Sequence, residues 1–182
     1  MPVYVALLRG INVGGHKQIK MAALKTLCES IGLSRVRTLL QSGNVVFTSA
    51  SRDATKLAKT IRGAIEKEFG HTVEIILRDA GAFETAIAKN PFPKEARAEP
   101  NRLLVMFLVG EPTKTAKAKL AEIDVVPEKL KLVGDNLYAH YASGIAHSKL
   151  AKVPLEKLLG VPGTARNWNT VTKLRDMMAG KE

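Results

Sequence analysis

Apolar residues in this chain fall into two kinds of run. Short unbroken or alternating runs read as strands, and longer segments with apolar residues every three or four positions read as helices. Residues 3–8 are an apolar, β-rich run of strand length. Ile19, Met21, Leu24, Leu27, Cys28 and Ile31 follow at helical spacing and predict an amphipathic helix. Residues 35–40 and 44–48 predict two strands, separated at Gln41-Ser42-Gly43 by a hairpin turn or a bulge. Asp53 opens a second helix whose stripe, Leu57, Ala58, Ile61, Ala64, Ile65 and Phe69, ends at Gly70. A strand over residues 72–77 completes the order β-α-β-β-α-β, the ferredoxin-like pattern of an antiparallel sheet with two helices on one face.

A short helix is predicted over 80–89, and Asn90-Pro91-Phe92-Pro93 ends it because each proline disfavours helix at the residue before it. The polar stretch 94–100 reads as a linker. Beyond it come an apolar strand over 102–109, an amphipathic helix over 113–123, and a hairpin of 130–133 and 137–141 around Gly134-Asp135-Asn136. A small-residue loop over 142–149 leads to a helical stretch that Pro154 kinks or restarts and that Gly160-Val161-Pro162-Gly163 stops. The second half thus reads β-α-β-β-α, lacking a last strand, plus a C-terminal helix bearing Val171, Leu174 and Met177 or Met178. The expected fold class is α+β, with two ferredoxin-like subdomains at 1–93 and 101–182.

Between the first strand and the first helix lies Arg9-Gly10-Ile11-Asn12-Val13-Gly14-Gly15-His16-Lys17. Its glycines accept positive φ and let backbone N–H groups approach a ligand, and the following helix directs its positive dipole end toward the loop. Arg9, Lys17 and Lys20 add charge, so the geometry suits an anion. Nucleotide motifs do not match. Gly10 and Gly15 have the spacing of a P-loop, but His16-Lys17 stands where Lys and Ser/Thr belong, and G-x-x-x-G-G is not the dinucleotide fingerprint. A tight crossover that needs glycine for steric reasons explains the spacing equally well.

Composition narrows the partners. The 182 residues carry a net charge of +11 and 46% hydrophobic residues, as expected of a folded basic protein. No apolar stretch approaches the roughly 20 residues of a membrane span, and no signal-peptide core is present, so a cytoplasmic protein is expected. The charge is dispersed: Lys/Arg number 13 and Asp/Glu 7 in residues 1–90, a balance of +6 that leaves +5 for the rest. Only 5% of residues are aromatic, which leaves few rings for base stacking. The four histidines are scattered and the single cysteine, Cys28, falls on an apolar helix face, so no metal site and no cofactor are predicted. No nucleophile elbow or paired acids occur in the candidate loops.

Four segments, RGINVGGHK from Arg9, QSGNVVF from Gln41, GIAHSKL from Gly144 and RNWNTVTKL from Arg166, resemble in order and spacing the bacterial domain-of-unknown-function family 1697. The resemblance spans nearly the whole chain. It implies a cytoplasmic α+β protein of two ferredoxin-like subdomains and carries no activity or catalytic residue. Pro154 departs from it, interrupting a segment that is usually a continuous helix.

These segments interrupt apolar elements at their ends, where sites on α/β scaffolds tend to lie. The expectation is that Arg9, Asn12, Gly14, Gly15, Lys17, Ser42, Asn44, Ser148, Lys149, Arg166, Asn167, Asn169 and Lys173 form a basic cleft between the subdomains for a phosphate or carboxylate group. Asn167 or Asn169 would also cap the last helix. The alternatives are a nucleic-acid-binding module, an enzyme acting on a phosphorylated metabolite, and a structural or partner-binding protein.

Overall fold

The computed structural model describes residues 1–181 and divides into two compact units, Met1–Thr85 with the chain from Lys173 onward, and Ala86–Thr172. Each holds one four-stranded antiparallel sheet.

The first sheet contains β1 (Val3–Leu8), β2 (Ser34–Leu39), β3 (Asn44–Thr48) and β4 (Ile75–Asp79), ordered β2-β3-β1-β4. Helices α1 (Met21–Ser30) and α2 (Ala54–Phe69) connect them in the expected order. Alternate residues Tyr4, Ala6 and Leu8 of β1, Val45 and Phe47 of β3, and Ile75 and Leu77 of β4 join Leu24 and Cys28 of α1 and Leu57, Ile61 and Ile65 of α2 in one core. Each buried Leu or Ile contributes about 1.5–3 kcal/mol of transfer free energy. Val5, Leu7, Val46 and Ile76, on the other pleat, are buried as well, which is why β1 is apolar throughout rather than alternating. Caps fix the ends of α2: Asp53 accepts the Lys56 amide and Gly70 takes φ +68°.

β4 starts at Ile75, three residues after the start of the strand that the sequence places at 72–77. The shift has a cause. Thr72 turns outward, donating its hydroxyl to Glu66 and lending its carbonyl to Lys17. Helix α3 (Ala80–Ala88) follows, and Pro93 starts α4 (Pro93–Ala98) rather than only ending α3, because the fixed φ of proline suits the first turn of a helix.

In the second unit β5 (Leu103–Leu108), α5 (Lys114–Ala121), β6 (Lys129–Val133), β7 (Asn136–His140), α6 (Leu155–Leu159) and β8 (Gly163–Asn167) give the order β6-β7-β5-β8. This repeats the strand arrangement of the first unit. β8 supplies the last strand that the sequence reading lacked, pairing Leu104 with Asn167 through Leu108 with Gly163. Gly163 is required there, since a Cβ would stand 2.8 Å from Leu108 Cδ2. Leu108, Leu120, Leu137 and Leu159 form one cluster and Ala139, Tyr141 and Leu150 another. Pro154 restarts the chain: two 3-10 turns precede it and α6 begins at Leu155. Helix α7 (Trp168–Met178) closes the described chain.

Candidate functional site

Ile11 and Ile19, both buried, anchor the two ends of the glycine loop in the first core, and residues 13–18 between them are exposed. The loop does not lie open as a phosphate cradle does. It folds back as a small hairpin in which Val13 bridges His16 across Gly14 and Gly15, at φ +57° and +79°. Positive φ at both central positions is a type I′ turn, the geometry that glycine permits. The His16 amide donates to the Val13 carbonyl (3.0 Å) and the Asn12 amide to the Lys17 carbonyl (3.2 Å).

Asn12 holds this hairpin in place. Its Nδ2 donates to the carbonyls of Ile19 (2.9 Å) and Gln41 (2.8 Å), and its Oδ1 accepts the Ile19 amide (2.8 Å). The second candidate segment is thereby fastened to the first. Asn44, fully buried, donates to the Leu39 carbonyl and to Ser42 Oγ, closing the turn between β2 and β3. Gly43 at φ +80° sends its carbonyl to the Leu8 amide (2.8 Å), and a Cβ there would stand 2.6 Å from Ile11 Cδ1. Lys17 donates Nζ to the Thr72 carbonyl (2.7 Å). Arg9 is exposed on the same loop, with its amide on the Glu74 carbonyl. Lys20, also exposed, is the N-cap of α1 and gives it no side-chain cap; the first turn of α1 holds no acid.

Backbone strain gathers on these two loops. Gly10, Asn12, Gly14, Gly15, Lys17, Leu40 and Gly43 all have positive φ. For Asn12, Lys17 and Leu40 that conformation costs free energy that surrounding contacts must offset, and such residues cluster at ligand-binding sites.

The remaining candidates belong to the second unit, apart from Lys173, which is grouped with the first. Ser148 is buried and accepts the Leu150 amide on Oγ (3.0 Å), while Lys149 beside it is exposed. Arg166 on β8 is buried; it donates to Thr164 Oγ1 (2.8 Å) and the Ala165 carbonyl (2.9 Å), and burial pushes its pKa down to about 10. It stays charged at neutral pH. Asn167 accepts the Thr170 amide (2.9 Å) and so caps α7, whereas Asn169 and Lys173 are exposed. The structure therefore joins 9–17 with 41–44 inside the first unit and holds 144–149 and 166–169 within the second.

A further polar cluster in the second unit has no signal in the sequence. His140, buried on β7, shares a 2.8 Å hydrogen bond with Glu99, and Arg102 donates to the same carboxylate. Its members come from scattered positions, and only the fold brings them together.

Among the described residues no group of three or more His, Cys, Asp or Glu could hold a metal ion, and no helix is long and apolar enough to cross a membrane. A family model described as "Protein of unknown function (DUF1697)" matches residues 1–138. Among solved structures, the conserved bacterial protein SP0830 from Streptococcus pneumoniae is similar, with a TM-score of 0.79 and 24% identity over 97% of this chain and 98% of its own. That likeness is one of fold. No curated protein matches the chain.

Proposed function

We propose a ligand-binding function for this chain, which belongs to the DUF1697 family of proteins of unknown function. In this reading the first unit binds a small phosphate- or carboxylate-bearing ligand at the glycine loop. The observation that carries it is the loop pair itself. Two loops are locked together by Asn12, hold seven residues at positive φ, and present Arg9, His16, Lys17 and Lys20 with no carboxylate anywhere from residue 9 to residue 20. A purely mechanical crossover needs glycines but not this concentration of cations and strain.

Roles follow from the geometry. Asn12, Ser42 and Asn44 position the loops. Gly14 and Gly15 make the exposed tip, where neither amide enters a backbone hydrogen bond among the described residues. Arg9 and Lys20 supply charge, and the uncapped first turn of α1 supplies amides and a positive dipole end. Lys17 ties the loop to Thr72 and adds to the local potential. Lys149, Arg166 and Asn169 in the second unit, and Lys173 in the first, remain candidate contacts for the same ligand class.

A nucleic-acid module has less support. Tyr4, Phe47, Phe83, Phe107, Tyr138 and Tyr141 are buried, so neither sheet offers these rings as a stacking surface. The test is thermal stabilisation across a panel of phosphorylated and carboxylated metabolites beside a generic oligonucleotide. Saturable stabilisation by an anionic metabolite, lost in Arg9→Ala, supports the reading. Stabilisation by the oligonucleotide alone, steeply dependent on salt, overturns it.

A further inference from the structure

β6 ends the second sheet and, among the described residues, pairs with β7 alone. The two-residue turn Gly134-Asp135, with Gly134 at φ +61°, decides which of its backbone groups face the open side. Val133 and Asn136 close the turn, so alternation along the ladder makes Lys129, Lys131 and Val133 the residues bonded to β7. Leu130 and Leu132 therefore direct their N–H and C=O groups to the open edge. Their side chains lie on the face that packs toward α5. There, with Lys117, Leu120 and Ala121, they line a groove of about 320 Å³.

Lys129 and Lys131 alternate with these leucines along β6 and are both exposed, Lys131 at the border of the groove. Lys129 is paired with Glu95, whereas Lys131 forms no ion pair among the described residues. A second copy of this strand is a poor partner, because antiparallel pairing of the two edges would set lysine rows against each other. An acidic strand meets the opposite situation.

We propose that the β6 edge receives an extended segment of a partner protein in which acidic and apolar residues alternate, added as a fifth strand. Backbone bonds run to Leu130 and Leu132. The apolar side chains of the added strand enter the groove over Leu120, Leu130 and Leu132, and the acidic ones face Lys131.

The test titrates the intact, isotope-labelled protein with the capped peptide Glu-Val-Glu-Val-Glu and with its Lys-Val-Lys-Val-Lys counterpart. Expected are saturable amide shifts centred on Leu130, Lys131, Leu132 and the α5 residues of the groove for the acidic peptide alone. Leu132→Pro removes an outward N–H without touching the bonds to β7 and should weaken binding at least tenfold. Lys131→Glu should reverse the preference between the peptides, and it decides the matter if the proline variant does not fold. No shifts at millimolar peptide, shifts away from β6, or equal binding of both peptides overturns the proposal. Self-association in sedimentation without peptide binding also overturns it, in favour of a second copy.

Discussion

Asn12 and Gln41, 29 residues apart, are joined by a 2.8 Å hydrogen bond from Asn12 Nδ2 to the Gln41 carbonyl. With its two bonds to Ile19, this one side chain satisfies three backbone groups and sets two loops in a fixed relation. Asn12→Ala leaves those groups unpaired and puts alanine at φ +55°. The expected loss is about 2–3 kcal/mol in urea unfolding. Asn12→Gly, which suits the backbone, isolates the part due to the lost bonds.

Among the described glycines, Gly43 leaves the least room for a side chain. An alanine there meets Ile11 at 2.6 Å and Leu8 Cβ at 2.8 Å and must also hold φ +80°. Left-handed strain and overpacking together predict a loss of about 2–4 kcal/mol, read as a lower urea midpoint with an unchanged slope. Gly15→Ala meets no neighbour within 4 Å, so only the strain of its φ +79° remains and the loss is smaller.

Cys28 is buried in the first core, and burial, aided by the charge of Glu29, pushes its thiol up to about 12. The thiolate is the reactive form. The native protein is therefore expected to resist thiol reagents at pH 8, with modification appearing only in urea. Fast native-state labelling would contradict the packing described.

Tyr138 gives a pH signature. Burial, with a smaller contribution from Asp135, raises its phenol to about 12, while its hydroxyl donates to the Ala86 carbonyl. Its unfolded form ionises near pH 10, so the folded state holds the proton more tightly. The stability contribution is complete below pH 10 and is lost as pH rises toward 12, by up to about 2.7 kcal/mol for two pK units. Arg166 acts with the opposite sign over the same range, because its folded pKa is lowered. Unfolding of Tyr138→Phe against the parent at pH 9 and pH 11 separates the two. The variant should close part of the gap at high pH.

What the sequence makes legible here is whatever is encoded locally. Asp53 and Gly70 bound α2, Thr113 caps α5, and Gly134 turns the β6–β7 hairpin, each by the chemistry of one or two residues. β8 escapes because Thr164-Ala165-Arg166-Asn167 has no apolar alternation; its pairing with β5 comes from Gly163 permitting close approach. Pro93 reads as a stop and serves as a start. At the candidate site the segments are visible, but their use is not. Nothing near Asn12 in sequence announces that its side chain will reach Gln41, or that Lys17 will lean on Thr72.

The most direct measurement for the anion reading is a titration of the isotope-labelled protein with inorganic phosphate at low ionic strength, followed by amide shifts. Expected are saturable shifts at Gly10, Gly14, Gly15, His16 and the first turn of α1, with affinity falling at least tenfold in the double variant Arg9→Ala, Lys20→Ala. Shifts scattered over the exposed lysines, or affinity unchanged in the double variant, would contradict it.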